Sequence, residues 1–377
     1  MEISLFSASA VFQGALPHPV FIMTSLGPIF ADDLARVKPG DRLRLTISAQ
    51  TSDAAALAQA ALEARARGER VLVVCADPAD VPRLAQEMPW FEPNLDVRPL
   101  PDWETLPYDV LSPQEELVSE RLEALYRLTA PTGGADVLLT SAVTASQRLS
   151  PVSYIGANTF FFHQGEQISL TTLQKRLAAA GYANVKQVLA AGEFAVRGSI
   201  VDVFPMGSER PFRLDFFDDE IESIRWFDVD TQRSMESAEE IRLLPGHEFP
   251  VDPEALLAFR QRWRREFAGD PKKSIVYCDI EKEILPPGIE YYLPLFFDET
   301  AALTDYLPPN ARVFLLGDIE AALQAFGRDM ASRYKVLAAD PQRPALAPER
   351  IWLKPEEFFK SLANFARFTV EKKENAE

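Results

Sequence analysis

RGSIVDVFPMGSERPFRLDFFDDEIESIRWF, residues 197–227, is the stretch from which the build of this chain is best read. Runs rich in β-branched and aromatic residues, at 199–204, 211–217 and 220–227, are separated by PMGSE and by Asp218-Asp219, the punctuation of a tightly connected antiparallel sheet. In the middle run the two-residue period of a strand puts Phe212, Leu214 and Phe216 on one face and Arg213, Asp215 and Phe217 on the other. The first set reads as core. The second offers a guanidinium, a carboxylate and a large aromatic ring side by side, and Arg197 at the mouth of the preceding strand adds a second guanidinium. Arginine and aromatic residues are enriched where proteins bind one another, so this face is expected to hold a partner protein. The same residues allow a plainer reading, in which Arg213 and Asp215 pair across a solvated sheet and Phe217 covers the edge of a neighbouring domain.

Towards the amino terminus the pattern becomes an alternation of strand and helix. RLRLTIS (42–48) alternates Leu43, Leu45 and Ile47 and leads into an alanine-rich helical run, with Ser52 or Asp53 as N-cap and Gly68 as stop. VLVVC (71–75) is the continuous apolar run of a strand buried on both faces, with Cys75 packing as a small hydrophobe. A short helix near 81–87, a strand near 96–100, a helix over about 113–128 and a strand at 137–140 complete a repeated βα pattern. Such repetition implies a parallel, doubly wound sheet. The connection 99–113 is rich in Trp, Tyr and Pro and lies on the carboxyl side of a strand, where these folds place ligands. Trp103 and Tyr108 are expected to pack between domains there.

After about residue 155 the character changes. FFFHQGEQISL is strand-like, TTLQKRLAAAGY is a helix capped by Thr171 or Thr172 and stopped by Gly181, and the β-rich stretch follows. Near Pro245 a third region opens, with Asp252 as N-cap, Pro253 at N1, and Leu256, Phe259, Trp263 and Phe267 at helical spacing. Arg260, Arg262, Arg264 and Arg265 form a basic face on that helix, ordinarily a solvated one. ARVFLLGDIEAAL (311–323) again reads strand, turn, helix, and ARFTVEKK is a candidate closing strand. The α/β elements at both ends imply that the α+β part is inserted into a split domain. The expected organisation is a disordered extension over 1–23, the first half of an α/β domain over 24–156, an inserted α+β domain over 157–244, and its completion over 245–377.

Composition narrows the function. A length of 377 residues exceeds one ordinary core, and a formal net charge of −17 repels phosphate on average, so DNA is not the default partner. Two cysteines and three scattered histidines form no disulfide framework, zinc spacing or catalytic dyad. No stretch approaches the ~20 apolar residues of a membrane span, and MEISLF lacks the positive start of a secretory signal, so a cytoplasmic location is expected.

The strand–turn–helix at 46–58, TISAQTSDAAALA, is where a nucleotide-binding P-loop would sit. A P-loop needs glycines to wrap phosphates, a lysine for the outer phosphates and a Ser or Thr for Mg²⁺. Ser48, Ala49, Gln50, Thr51, Ser52, Asp53 and Ala54 supply neither glycine nor lysine, and Asp53 would repel a phosphate at the helix N-terminus. In VFLLGDIEAA, Asp318 and Glu320 are split by Ile319 and so are not an adjacent Asp-Glu pair; both suit the first turn of a helix. The scaffold therefore reads as a motor lobe without a working nucleotide site: no catalytic residues, no cofactor and no metal are expected.

Residues 100–128 (LPDWETLPYDVLSPQEELVSERLEALYRL), 192–234 and 285–297 (LPPGIEYYLPLFF) resemble the amino-terminal UvrB-homology module of the bacterial transcription-repair coupling factor (Mfd) family. The resemblance covers roughly residues 24–377, and the WETLPYD and RG-x-x-x-D-x-FP patterns are also similar to UvrB. It implies a degenerate helicase-like, P-loop NTPase-like α/β domain, split in sequence, with an inserted α+β domain that binds the repair ATPase UvrA. The family's UvrA-contacting positions fall on Arg197, Arg213 and Phe217. It further implies a carboxyl-terminal domain that masks the UvrA surface, RNA polymerase contact and ATP-driven translocation through other domains, and, because residues 140–155 lack UvrB's long aromatic hairpin, weak or absent DNA binding here. The function so implied is a non-catalytic scaffold recruiting UvrA to stalled transcription complexes. Two competing readings are an ATP-binding or DNA-remodelling lobe that binds damaged DNA directly, and DNA binding through residues 260–265.

Overall fold

The computed structural model describes residues 36–47, 52–130 and 134–372. The extension expected over 1–23, and residues 48–51 of the P-loop position, lie outside the described residues. The amino-terminal segment supplies β1 (Arg42–Ile47), α1 (Asp53–Ala66), β2 (Val71–Cys75), α2 (Asp80–Phe91), β3 (Val97–Pro99), α3 (Glu115–Thr129), β4 (Val137–Ser141) and two short helices, α4 (Ala142–Ser146) and α5 (Val152–Ala157). A middle segment follows with β5 (Phe160–His163), α6 (Leu170–Ala179), β6 (Ala183–Asn184), β7 (Glu193–Arg197), β8 (Ile200–Val203), β9 (Phe212–Phe217), β10 (Glu220–Phe227), β11 (Ser234–Ala238) and β12 (Glu240–Leu243). The last segment adds α7 (Pro253–Glu266), α8 (Ile275–Glu281), β13 (Arg312–Leu316), α9 (Ile319–Leu337) and β14 (Ala366–Lys372).

The first sheet runs β1-β14-β13-β2-β4-β3, parallel throughout. Its outer strand β1 is separated from β2 by two strands that arrive more than two hundred residues later, so the α/β domain is split in sequence and the middle segment is an insertion. Strands β2, β4 and β13 are buried on both faces because helices cover both. Val71, Val73 and Cys75 pack with the alanines of α1 and with Leu84 and Met88 of α2, while Leu72 and Val74 point the other way, towards Leu122 and Leu125 of α3. Alanine on α1 lets that helix lie close to the strands.

The second sheet runs β11-β10-β9-β8-β7-β6, antiparallel except for the short β6–β7 pair. Phe212, Leu214 and Phe216 face inward as the alternation required, against Leu173 and Leu177 of α6, and the same hydrophobic cluster continues to α3 of the first domain. The insertion therefore shares a core with the lobe that carries it. A third, aromatic cluster gathers Trp103, Phe259, Trp263, Tyr277, Tyr291, Tyr292 and Trp352.

Several element boundaries differ from expectation, two of them for a clear local reason. Helix α2 continues through Pro89 to Phe91, because Val81, Leu84 and Met88 bury a continuous stripe and the missing N–H falls in the last turn. Helix α6 starts earlier than Thr171: Ser169 is its N-cap, its hydroxyl accepting the Thr172 N–H at 3.2 Å.

Candidate partner-binding site

The hairpin between β7 and β8 is closed by Gly198-Ser199, with Arg197 paired to Ile200 and Gly198 at a φ of 62°, a conformation that favours glycine. This sharp turn ends β7 on Arg197 and carries β8 back beside it. Asp202 on β8 then lies directly across from Arg213 on β9 and from Ala195 on β7. Its carboxylate is wholly buried. Arg213 closes on it as a fork, Nε donating to Oδ1 at 2.7 Å and Nη2 to Oδ2 at 2.9 Å. Arg197 Nη2 donates to the same Oδ2 from the other side.

The rest of the Arg213 side chain is also engaged. Its Nη1 donates to the Gln232 carbonyl at 3.1 Å and to Ser234 Oγ at 3.2 Å, and its guanidinium lies 5.0 Å from the Phe227 ring centroid. The Asp202 hydrogen bonds, opposed by partial burial, raise the Arg213 pKa above its ordinary value. Only 14% of this side chain is exposed, against 50% for Arg197. Phe217 is 68% exposed, two positions beyond Asp215 at the end of β9 next to the β7–β8 turn. Arg197 and Arg213 thus meet on one carboxylate, and Phe217 projects from the same sheet face.

The plainer pairing of Arg213 with Asp215 does not occur: Asp215 accepts from Ser223 Oγ at 2.8 Å, its cross-strand neighbour. Strand alternation alone could not choose between the carboxylates, because the choice depends on which strand β9 faces. Asp202 is the residue that reading strands one at a time missed. Its signal was present as the acid of RG-x-x-x-D-x-FP and as a lone carboxylate in the apolar run Ile200–Val203.

At the position of the absent P-loop, Ser52 caps α1 and Asp53 is buried at the helix N-terminus. Its Oδ1 accepts the Ala54 N–H at 3.0 Å, and Arg83 of α2 grips both oxygens at 3.0 and 2.9 Å. The end of the helix dipole that would draw a phosphate therefore already holds an internal carboxylate. Asp318 caps α9, accepting from the Ala321 N–H at 2.9 Å, with Glu320 in the first turn.

The WETLPYD loop joins the two halves of the split lobe. Trp103 Nε1 donates to Glu248 Oε2 at 2.8 Å, buried Arg121 donates to Glu248 Oε1 at 2.9 Å, and Tyr108 donates to the Leu346 carbonyl at 2.9 Å. Glu290 in the same region accepts from the Ser112 hydroxyl at 2.8 Å, and burial pushes its carboxyl up to about 7. His247 is partly buried, and desolvation lowers its imidazole to about 4.

Of the α7 arginines, Arg264 and Arg265 are exposed as their spacing suggested, while Arg260 and Arg262 are partly buried, and three of the four find partners. Arg262 donates to Asp298 at 2.6 Å and to the Leu295 and Phe296 carbonyls, Arg264 donates to the Tyr277 hydroxyl at 2.5 Å, and Arg260 faces Glu281 at 3.6 Å. Among the described residues no group of His, Cys, Asp and Glu is arranged to hold a metal ion, and no helix is long and apolar enough to cross a membrane.

A split α/β lobe carries an inserted antiparallel sheet with this clasped carboxylate, and residues 160–249, which include that sheet, match the family described as the UvrB interaction domain. The chain is 42% identical over 298 residues to the transcription-repair-coupling factor of Escherichia coli (strain K12), covering 79% of this chain and 26% of that protein. It is likewise 42% identical over 301 residues to the Haemophilus influenzae transcription-repair-coupling factor, with the same coverage, and 32% identical over 216 residues to that of Bacillus subtilis (strain 168), covering 53% and 18%. The resemblance to the amino-terminal UvrB-homology module of the transcription-repair-coupling factors is thus borne out. The chain spans about a quarter of the length of the first two of these relatives.

Proposed function

We propose that this chain is a non-catalytic scaffold that recruits UvrA to stalled transcription complexes by presenting the face UvrB would present. The observation that carries the reading is the exposed pair Arg197 and Phe217 set around a buried Asp202–Arg213 ion pair, inside the segment matched by the UvrB interaction domain. An exposed phenyl ring and a partly anchored guanidinium on one sheet face have the composition of a binding hot spot. UvrA as the partner comes from the family resemblance. In this reading RNA polymerase contact, translocation and any masking of the UvrA face belong to further parts of the longer family proteins.

The lobe itself is proposed to hold no nucleotide or other cofactor. Asp53, with Arg83 across it, supports this by setting negative charge where phosphate would have to sit. DNA binding by the lobe is proposed to be weak or absent, in keeping with the net charge of −17 and the engaged arginines of α7.

Calorimetry with purified UvrA tests the main claim. Saturable binding is expected, weakened about tenfold or more by Phe217→Ala with an unchanged melting profile. Parental affinity in that variant would overturn the assignment. A fluorescent ATP analogue titrated into the chain is expected to give no saturable signal; saturation at micromolar levels would favour the ATP-binding reading.

A further inference from the structure

The two arginines that the resemblance treats alike differ in their surroundings. Nearly all of the Arg213 N–H groups are spent inside the sheet, on Asp202, the Gln232 carbonyl and Ser234, whereas Arg197 commits one Nη2 contact to Asp202 and leaves half of its side chain in solvent. We propose that Asp202 is a positioning residue: held by the Arg213 fork, it anchors and aims the Arg197 guanidinium, which is the one that meets the partner, so that Arg213 acts on binding through Asp202. This rests on the docking reading above.

The register makes the arrangement possible. Arg213 is directly opposite Asp202, while Arg197 lies two residues along β7 from Ala195, the other residue opposite Asp202, and so on the same face at diagonal reach. A long exposed arginine loses rotamer freedom when it binds, and one already tethered at one end loses less. Two guanidiniums share one carboxylate, and Phe217 projects from the same sheet face, four residues along β9 from Arg213. The partner feature that fits is a carboxylate next to an apolar pocket.

A double-mutant cycle on the full chain, read as UvrA affinity by calorimetry with melting curves alongside, tests the proposal. Asp202→Asn keeps the side-chain volume and an acceptor oxygen but removes the charge. It and Arg197→Ala are each expected to weaken binding about tenfold, and the two together no more than Arg197→Ala alone, whereas Asp202→Asn combined with Phe217→Ala should multiply. A merely structural role for Asp202 would couple to neither partner selectively. Parental affinity in a folded Asp202→Asn chain, or multiplication with Arg197→Ala, overturns the positioning role while a weakened Phe217→Ala leaves the docking face standing. If neither Arg197→Ala nor Phe217→Ala changes affinity, the docking reading fails and this inference with it. Should Asp202→Asn lose its cooperative melt, Arg213→Lys carries the test. It retains a cation without the fork, and a severalfold weakening is expected; parental affinity there overturns the proposal.

Discussion

Two buried carboxylates in this molecule are gripped by arginine forks, and the grip has opposite consequences. In the α/β lobe, Asp53 sits at the N-terminus of α1 and Arg83 closes over it, itself shared with Asp80 at 2.6 Å and Glu87 at 3.0 Å. That cluster turns inward and occupies the place where a motor lobe would hold phosphate. In the inserted sheet, Asp202 is gripped by Arg213, and a second arginine, Arg197, rises from it into solvent on the face from which Phe217 also projects. One ion pair fills the place of a phosphate site, and in the docking reading proposed above the other supports a binding face. The chemistry of the pair does not decide the outcome; the groups left over once the carboxylate is satisfied do.

The sharpest break of this comparison is Asp202→Ala. It strands the Arg213 guanidinium in a mostly enclosed position, and a loss of roughly 3 kcal/mol in unfolding free energy is expected by urea denaturation. Asp53→Ala should cost less, about 1 kcal/mol, because Arg83 is a third exposed and keeps Asp80 and Glu87 as partners. Equal losses would show that the two clasps are energetically alike and that their difference in surroundings is incidental.

Phe217→Ala separates presentation from support. The ring is exposed and belongs to none of the hydrophobic clusters, so stability should move by less than about 0.5 kcal/mol while UvrA affinity falls. A large loss of stability would mean that the ring covers the sheet rather than serving a partner.

Glu290 sharpens the comparison from the other side, as a buried carboxyl with a hydroxyl where Asp53 and Asp202 have a fork. Its folded pKa of about 7 lies above the ordinary 4.5, chiefly through desolvation, so the folded chain holds that proton more tightly than the unfolded chain. The stability this contributes is full below about 4.5 and is lost as pH rises through about 7. Glu290→Gln removes that loss while keeping an acceptor for Ser112. Its melting temperature is expected to exceed the parent's by a few degrees at pH 8, with the difference fading by pH 5. A difference independent of pH would show that the carboxyl does not titrate in this range.

Much of this was legible in the chain. The repeated strand–helix alternation exposed a parallel sheet, the strand run at its far end suggested an insertion, and side-chain period put Arg213 and Phe217 on the open face. Misplaced boundaries were local: Ser169 took the cap expected of Thr171 or Thr172, and buried Met88 carried α2 past Pro89. The arginines of α7 were recognisable as a stripe, but their partners Asp298, Tyr277 and Glu281 come from other elements.

The sequence by itself determined which segments are strands and helices, which strand face is apolar and that the P-loop glycines and lysine are missing, because periodicity and residue type act over a few neighbouring positions. Only the tertiary structure decided that Arg213 grips Asp202 rather than Asp215, that Arg197 shares that carboxylate, and that Arg83 seals Asp53. Those pairings depend on strand register and on helices meeting across the fold, and a buried carboxylate takes whichever guanidinium the packing brings within reach.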